Sequence, residues 1–330
     1  MYSSEISIII PTLNEEDNIE RCIFSLLSQS FPFEKMDVMI IDGGSKDRTR
    51  EIVLELIKVY PNLRLINNPK RIQSVAFNIG VKNSNSPIII RLDAHAMYHP
   101  DYIKLIIEGL QNKKYGNVGG RWEMKPQKHT LISEANAIVN QMRFAIGGAD
   151  FRVGTEKKEV ETVPFGGFRR ETLEEIGEMS PRLPRGEDNE YNARILAQGY
   201  KILFDPRIVA TYYARPDLKS LLKQMYGNGF SIGVLMHCYS QSVRVRHLVP
   251  FLFLIGIMIL GIGGLWISIL WWILMALLGI YFCLSLHAAF NESRKYGWKF
   301  FFILPWEVFL VHLSYGYGTL MGLIKGKYPE

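Results

Sequence analysis

Asp93-Ala94-His95 sets a carboxylate and an imidazole two residues apart. At that spacing both can reach one divalent ion, which would in turn hold a diphosphate. A strand-end aspartate is usually a turn or helix cap, so the cluster is a weak signal in isolation. Asp42-Gly43-Gly44-Ser45-Lys46-Asp47 joins glycines that let the backbone approach a ligand with acids able to accept hydrogen bonds from a base or ribose. Its plainer reading is a loop in which Ser45 or Asp47 caps the next helix. Glu187-Asp188 follows Gly186 at the start of a helical stretch. Such a carboxylate pair suits general-base work, or again helix capping.

The surrounding pattern decides how these clusters could meet. Ile6–Pro11 (ISIIIP) is a β-branched apolar run closed by proline, the pattern of a buried parallel strand. Asp37–Ile41, Leu63–Asn67 and Pro87–Leu92 read as further strands. Helices are predicted after Thr12–Asn14, with Ile19, Cys22, Ile23, Leu26 and Leu27 on one face, and over Thr49–Tyr60, Ile72–Lys82 and Asp101–Leu110. The pattern then loosens. Asn117–Glu123 and Lys201–Asp205 read as strands, Ile132–Met142 and Asn189–Gln198 as helices, and the charged Glu156–Glu161 as a mobile loop. Alternating strands and helices imply an α/β parallel sheet with right-handed crossovers, whose ligands sit beyond the carboxyl ends of the strands. Polar clusters follow the strands at that end: Thr12-Asn14-Glu15, Asp42–Asp47 and Arg91-Asp93-His95.

The chain has 330 residues and a net charge of +6, enough for one α/β domain and an appendage. No charged residue occurs from Leu248 to Leu286. That run is too long for one membrane crossing of about 20 residues and suits two. Arg244, Arg246 and His247 precede the pair, Arg294, Lys295 and Lys299 follow it, and the Gly263–Ser268 link carries no positive charge. The positive-inside rule then puts both ends of the hairpin in the cytoplasm, with Trp266, Trp271 and Trp272 at the far interface. Phe300–Ile324 is apolar but contains Pro305, Glu307 and His312, and could span the membrane or lie partly in the interface. Glu307 and His312 are functional candidates at that depth, or partners in helix packing. Leu218–Met236 reads as a basic amphipathic interfacial helix, or as a helix docked on the soluble domain. The expected organisation is a catalytic domain over 1–216, an interfacial region over 217–247, and membrane helices over 248–324, with a hairpin at 248–287 and a third segment at 300–324.

Other classes fit poorly. The scattered Cys22, Cys238 and Cys283 indicate neither disulfides nor zinc. No basic stripe interleaved with aromatics points to nucleic acid, and no GxGxxG or GxxxxGK[ST] is present. The N-terminal stretch lacks a signal-peptide pattern, so it is expected to stay in the cytosol.

Six blocks together resemble glycosyltransferase family 2, inverting enzymes with a GT-A fold: Ile8–Glu16, Ile41–Thr49, Ser74–Gly80, Arg91–Ala96, Pro164–Gly177 and Gly186–Ile202. They keep the family's order and spacing. The Asp-Ala-His form and His312–Gly322 (HLSYGYGTLMG) are similar to the succinoglycan-type exopolysaccharide glucosyltransferase subgroup. The resemblance implies that Pro11, Thr12 and Glu15 line the nucleoside, that Asp42 with Gly43 meets the base, expected to be uracil, and that Arg71 and Asn78 lie near the diphosphate or base. It puts Arg91 at the nucleotide sugar, and Gly166, Gly167 and Phe168 around the sugar. Asp93 and His95 align with the family's Asp-x-Asp metal motif, with His replacing the second Asp, and the implied ion is Mn2+ or Mg2+. Asp188 is the implied base, with Glu187 the other candidate. Processive members carry Gln-x-x-Arg-Trp after the base, whereas the stretch here is Gln224–Gly229 without an Arg-Trp pair, so addition of one sugar is expected. The implied donor is a nucleotide sugar, and the implied acceptor a polyprenyl-linked saccharide at the membrane. The alternatives are a polyprenyl-phosphate sugar synthase and a non-catalytic sugar-nucleotide scaffold.

Overall fold

A computed structural model describes residues 4–327. They divide into two compact units: residues 4–123 with 150–212, and residues 124–149 with 213–327.

The first unit is built on a mixed sheet. Its strands are β1 (Ile6–Thr12), β2 (Met36–Asp42), β3 (Leu63–Asn67), β4 (Ile88–Arg91), β5 (Ala96–Tyr98), β6 (Tyr115–Pro126), β7 (Lys158–Val160), β8 (Gly167–Arg169) and β9 (Lys201–Ala214). Their order is β3-β2-β1-β4-β8-β6-β9-β5, with β7 paired to β9. β1 lies parallel between β2 and β4, and β3 extends this half beyond β2. The parallel order β3-β2-β1-β4 follows from the strand–helix alternation, because each crossover helix covers one face and leaves the strands apolar on both. Ile8, Ile9, Ile10, Met39, Ile40 and Ile41 are all fully buried. Each such side chain contributes about 1.5–3 kcal/mol. The crossover helix Gln73–Lys82 approaches closely because Gly80 has no side chain; a Cβ there would stand 2.6 Å from Ile9.

Beyond β4 the pairing turns antiparallel. β8 joins β4 with Ile90 opposite Gly167. The charged stretch expected to be a mobile loop contains β7, whose Lys158 pairs with Phe204 and Val160 with Ile202. Its charges mislead because it lies off the main strand path: Lys158 bonds Asp150 and Glu159 bonds Lys114, while the backbone forms a ladder.

The second unit is helical: Leu131–Val139, Arg143–Ile146, Leu218–Cys238, Val245–Gly263, Ile269–Tyr296 and Ile303–Lys325. Among the described residues two helices are long and apolar enough to cross a membrane, Val245–Gly263 and Ile269–Tyr296. The first has 19 residues, none buried. At 1.5 Å per residue its length of about 28 Å matches a bilayer core of about 30 Å.

Leu218–Cys238 starts at an Asp217 cap, whose carboxylate accepts from Ser220 N at 2.8 Å. Lys219 and Lys223 are exposed, whereas residues 229–235 are buried. The burial has a steric cause. Gly229 and Gly233 lie against Tyr315 O and Thr319 O, and Gly318 and Gly322 against Tyr226 O and Phe230 O. Each helix thus offers two glycines four residues apart, which lets the backbones touch. His312 is fully bonded: Nδ1 meets Tyr281 Oη at 2.9 Å and Nε2 meets Ala145 O at 3.0 Å. It therefore fixes three segments together, the helix-packing alternative. Glu307 is buried, and neither oxygen has a partner among the described residues.

Gly229→Leu would drive a side chain into the Tyr315 carbonyl, at a cost of about 1–3 kcal/mol or more. Gly256→Leu, where nothing lies within 4 Å, serves as control. Thermal unfolding in detergent should show a lower Tm for the first and little change for the second; equal Tm values would refute the close packing.

Candidate active site

The parallel strands bring their polar ends to one edge, and the loops there are tied together. Asn14, left-handed at φ 54°, accepts Lys46 N on Oδ1 at 2.8 Å. Glu15 N donates to Thr49 Oγ1 at 2.7 Å, and Gly43 N to Thr12 O at 2.8 Å. Pro11 is half-buried beside Ile41, and Thr12 is buried with its hydroxyl on Ile10 O at 3.0 Å.

Asp42 is fully buried. One oxygen accepts Ser45 Oγ at 2.6 Å, and the other accepts Gly44 N at 3.0 Å and Arg50 Nη1 at 2.5 Å. Burial works against the charge, but these donors outweigh it and hold the carboxyl below its usual range. A base reaching Asp42 would have to displace one of them. Arg71 is exposed, with a left-handed backbone at φ 58°. Its guanidinium has no hydrogen bond or ion pair among the described residues and passes beside Gly44. Such strain at a non-glycine residue costs of order 1–3 kcal/mol and collects at binding sites.

The centre of the site is Arg91, the last residue of β4 and only 3% exposed. Nη1 bonds Asp188, and Nη2 lies 3.2 Å from Glu187 and 3.5 Å from Asp93. Asp188 and Glu187 open the helix Glu187–Ala197, preceded by Gly186 at φ 83°. So Asp93 and Asp188 converge on one guanidinium from positions far apart in the chain. Burial pushes the Glu187 carboxyl up to about 7, with Asp188 adding and Arg91 opposing. Burial also raises Asp188, again against Arg91. The Asp188 side chain is 32% exposed and that of Glu187 5%. Only Asp188 can meet a substrate hydroxyl without rearrangement.

Asp93 Oδ1 also accepts Gln73 Nε2 at 3.0 Å. His95 holds Glu15 through Nδ1 at 3.1 Å and Tyr212 Oη through Nε2 at 2.9 Å, with Asp93 Oδ2 3.9 Å away. Burial disfavours its charge, but Tyr212, Glu15 and Asp93 outweigh that and lift the imidazole to about 10. To ligate a metal, His95 would have to give up one of these bonds. Among the described residues no three His, Cys, Asp or Glu side chains form a metal cage. One carboxylate with substrate phosphates suffices for Mg2+-type ions, and the Asp93 donor set fits that mode.

Gly166 and Gly167 run beside β4, with Gly166 O accepting Arg91 N at 3.0 Å. A Cβ on Gly166 would collide with Asn117 Oδ1. Two expected ligand residues face elsewhere. Phe168 is buried against Phe77 and Tyr191, where an aromatic ring completes the core. Asn78 straps Met179, donating to its carbonyl at 2.8 Å and accepting its N–H at 3.0 Å. Sequence reasoning missed Gln73, Tyr212 and Trp122, the last stacked on Tyr212 at 4.7 Å and 12°. Gln73 directly precedes a recognised block and was findable; Trp122 and Tyr212 sit in long strands with no local signal.

Residues 7–177 match the family described as glycosyl transferase family 2. A Methanococcus voltae dolichyl N-acetyl-alpha-D-glucosaminyl phosphate 3-beta-D-2,3-diacetamido-2,3-dideoxy-beta-D-glucuronosyltransferase is 31% identical over 97% of this chain and 98% of its own. The succinoglycan biosynthesis protein ExoA of Rhizobium meliloti is 31% identical over 69% of each chain. A mannosyltransferase from Pyrobaculum calidifontis, solved with GDP-mannose and Mn2+, superposes with a TM-score of 0.64 at 18% identity over 94% of this chain and 86% of that one. The shared architecture is a GT-A-like α/β nucleotide-sugar transferase fold.

Arg91→Met would leave three carboxylates without their cation, a loss of about 3–5 kcal/mol. Carboxyls raised by burial cost stability once ionised, and protonation relieves that cost as pH falls. The loss should therefore be smaller at pH 5 than at pH 8 in paired unfolding curves. A loss independent of pH would contradict the ion cluster.

Proposed function

The chain belongs to glycosyl transferase family 2, and from that premise we propose that it is a membrane-anchored, inverting transferase that moves one sugar from a nucleotide sugar to a lipid-linked saccharide. The convergence of Asp93, Glu187 and Asp188 on Arg91 carries this reading. It supplies a half-exposed base beside a carboxylate able to face a diphosphate.

In the proposed step Asp188 removes the proton from an acceptor hydroxyl. The acceptor oxygen bonds the anomeric carbon from the face opposite the leaving group. The bond from that carbon to the phosphate oxygen breaks, and the nucleoside diphosphate departs with the electron pair. Arg91 orients Asp188 and opposes the effect of burial on its carboxyl, while Glu187 is the more buried of the pair. Arg71, beside Gly43 and Gly44, is assigned to the diphosphate, and the loop of Pro11, Thr12 and Glu15 to the nucleoside. A divalent ion, Mn2+ or Mg2+, held at Asp93 would neutralise charge on the leaving diphosphate. His95 is assigned as a cation bridging Glu15 and Tyr212, and becomes a ligand only if one of those bonds opens.

The lipid-linked acceptor rests on two supports. The Methanococcus voltae relative, matched nearly end to end, acts on a dolichyl-linked N-acetylglucosaminyl phosphate. The two apolar helices would keep the chain beside such a lipid, with the catalytic unit on the cytoplasmic side.

The direct test is transfer of labelled sugar from a panel of nucleotide sugars in native membranes; no transfer or donor hydrolysis by purified protein would leave only a binding scaffold. Asp188→Asn should lose about 10²–10⁴-fold in turnover while donor affinity is kept. Unchanged turnover would point to an acceptor that needs no base, such as a polyprenyl phosphate. Excess chelator should abolish transfer, and Mn2+ or Mg2+ restore it; full activity in chelator would remove the ion from the mechanism.

A further inference from the structure

The main chain of Asp93 is gripped from one side. Its N–H donates to Tyr98 Oη at 2.7 Å, and that hydroxyl donates to Asp93 O at 3.0 Å. Cys22 Sγ reaches the same carbonyl at 3.6 Å. Tyr98 is itself buried, with its ring 4.8 Å from that of Tyr102. With the backbone fixed in this way, the side-chain torsions of Asp93 decide where its two oxygens point.

Those torsions answer to a helix start. Gln73 opens the crossover helix Gln73–Lys82, and its Nε2 donates to Asp93 Oδ1 at 3.0 Å. Arg91 Nη2 reaches the same oxygen only at 3.5 Å, since its guanidinium also serves Asp188 and Glu187. Gln73 has the firmer hold. Oδ2 accepts no hydrogen bond among the described residues; His95 Nε2 stands 3.9 Å from it and bonds Tyr212 instead. The turn before the helix sets Gln73 in place. Asn68 Nδ2 donates to Ile72 O at 2.9 Å and Arg71 N to Asn68 O at 3.2 Å, with Arg71 left-handed at φ 58°. The residue assigned to the diphosphate and the one that holds Asp93 therefore share a single turn, two positions apart.

We infer that Gln73 is a positioning residue, which fixes the Asp93 carboxylate through Oδ1 so that Oδ2 stays available to a divalent ion. A carboxylate free to rotate must be ordered when the ion arrives, whereas one already held on a single oxygen is set beforehand. Glutamine suits the task because its amide donates a hydrogen bond without adding a positive charge beside the ion. The inference rests on the reading of Asp93 as the carboxylate that holds the ion.

The test titrates the full chain in detergent with Mn2+, alone and with UDP, and follows free Mn2+ by electron paramagnetic resonance. Gln73→Met, of similar length but without the donor, and Gln73→Ala should bind Mn2+ about 10–100-fold more weakly than wild type. Their Tm should match wild type, and Asp93→Asn should lose the ion. The Mn2+ concentration that half-saturates transfer should rise by the same factor in the Gln73 variants, and turnover should recover at saturating Mn2+. Wild-type affinity in both Gln73 variants, with binding lost in Asp93→Asn, would overturn the positioning role and leave the ion at Asp93. Turnover that stays low at saturating Mn2+ would also overturn it, because a damaged site and not a mis-set carboxylate would then be the cause. No Mn2+ binding by wild type, or its retention by Asp93→Asn, would remove the ion from Asp93 and the inference with it.

Discussion

A buried guanidinium facing three carboxylates is the constraint around which the catalytic unit is arranged. Arg91 cannot be left unpaired at 3% exposure, and Asp93, Glu187 and Asp188 cannot all sit beside one another ionised without it. The sheet must therefore bring the end of β4 to the start of the helix Glu187–Ala197. It does so through β8: Arg91 N bonds Gly166 O, Gly167 pairs with Ile90, and glycine at 166 leaves room for Asn117. The glycines sit at this edge because backbone must pass backbone there. The polar cluster in turn makes a buried site that discriminates between two adjacent carboxyls, one almost closed to solvent and one open.

The same logic governs the other wall. His95 stands between Glu15 and Tyr212, joining the loop after β1 to the far end of β9. With both ring nitrogens bonded to protein groups and the imidazole favoured as a cation, it would have to give up one of those bonds to ligate a metal. A second aspartate in that place would add a negative charge beside Asp93 and Glu15. A protonated histidine instead adds a positive charge between Glu15 and Asp93, where a second aspartate would add a negative one.

Where the signal is local, the sequence was informative. The β-branched runs at Ile6, Asp37 and Pro87 marked strands because both faces are buried, and the polar clusters after them marked the site edge because parallel strands share one polarity. The uncharged run from Leu248 similarly gave the apolar helices. What was not legible depends on pairings that sequence spacing does not encode. Phe168 follows two glycines near the site, yet a strand alternates sides and its ring enters the core with Phe77. Asn78 lies on the crossover helix, but its amide faces Met179, 101 residues on. Charge concealed β7, since an edge strand can expose every side chain and still satisfy its backbone. Trp122 and Tyr212 emerge only when β6 and β9 stack their rings.

The helical unit solves a different problem. Leu218–Cys238 and Ile303–Lys325 share a buried apolar cluster that includes Leu221, Met225, Leu304 and Val308, and close backbone approach and buried hydrogen bonds add to it. Paired glycines on Leu218–Cys238 and Ile303–Lys325 provide the packing. His312 provides a bond to Tyr281 of the second apolar helix and another to the Ala145 carbonyl. The turn after Arg143 is thereby fixed, and its Phe144, Ala145 and Ile146 join the same buried apolar cluster.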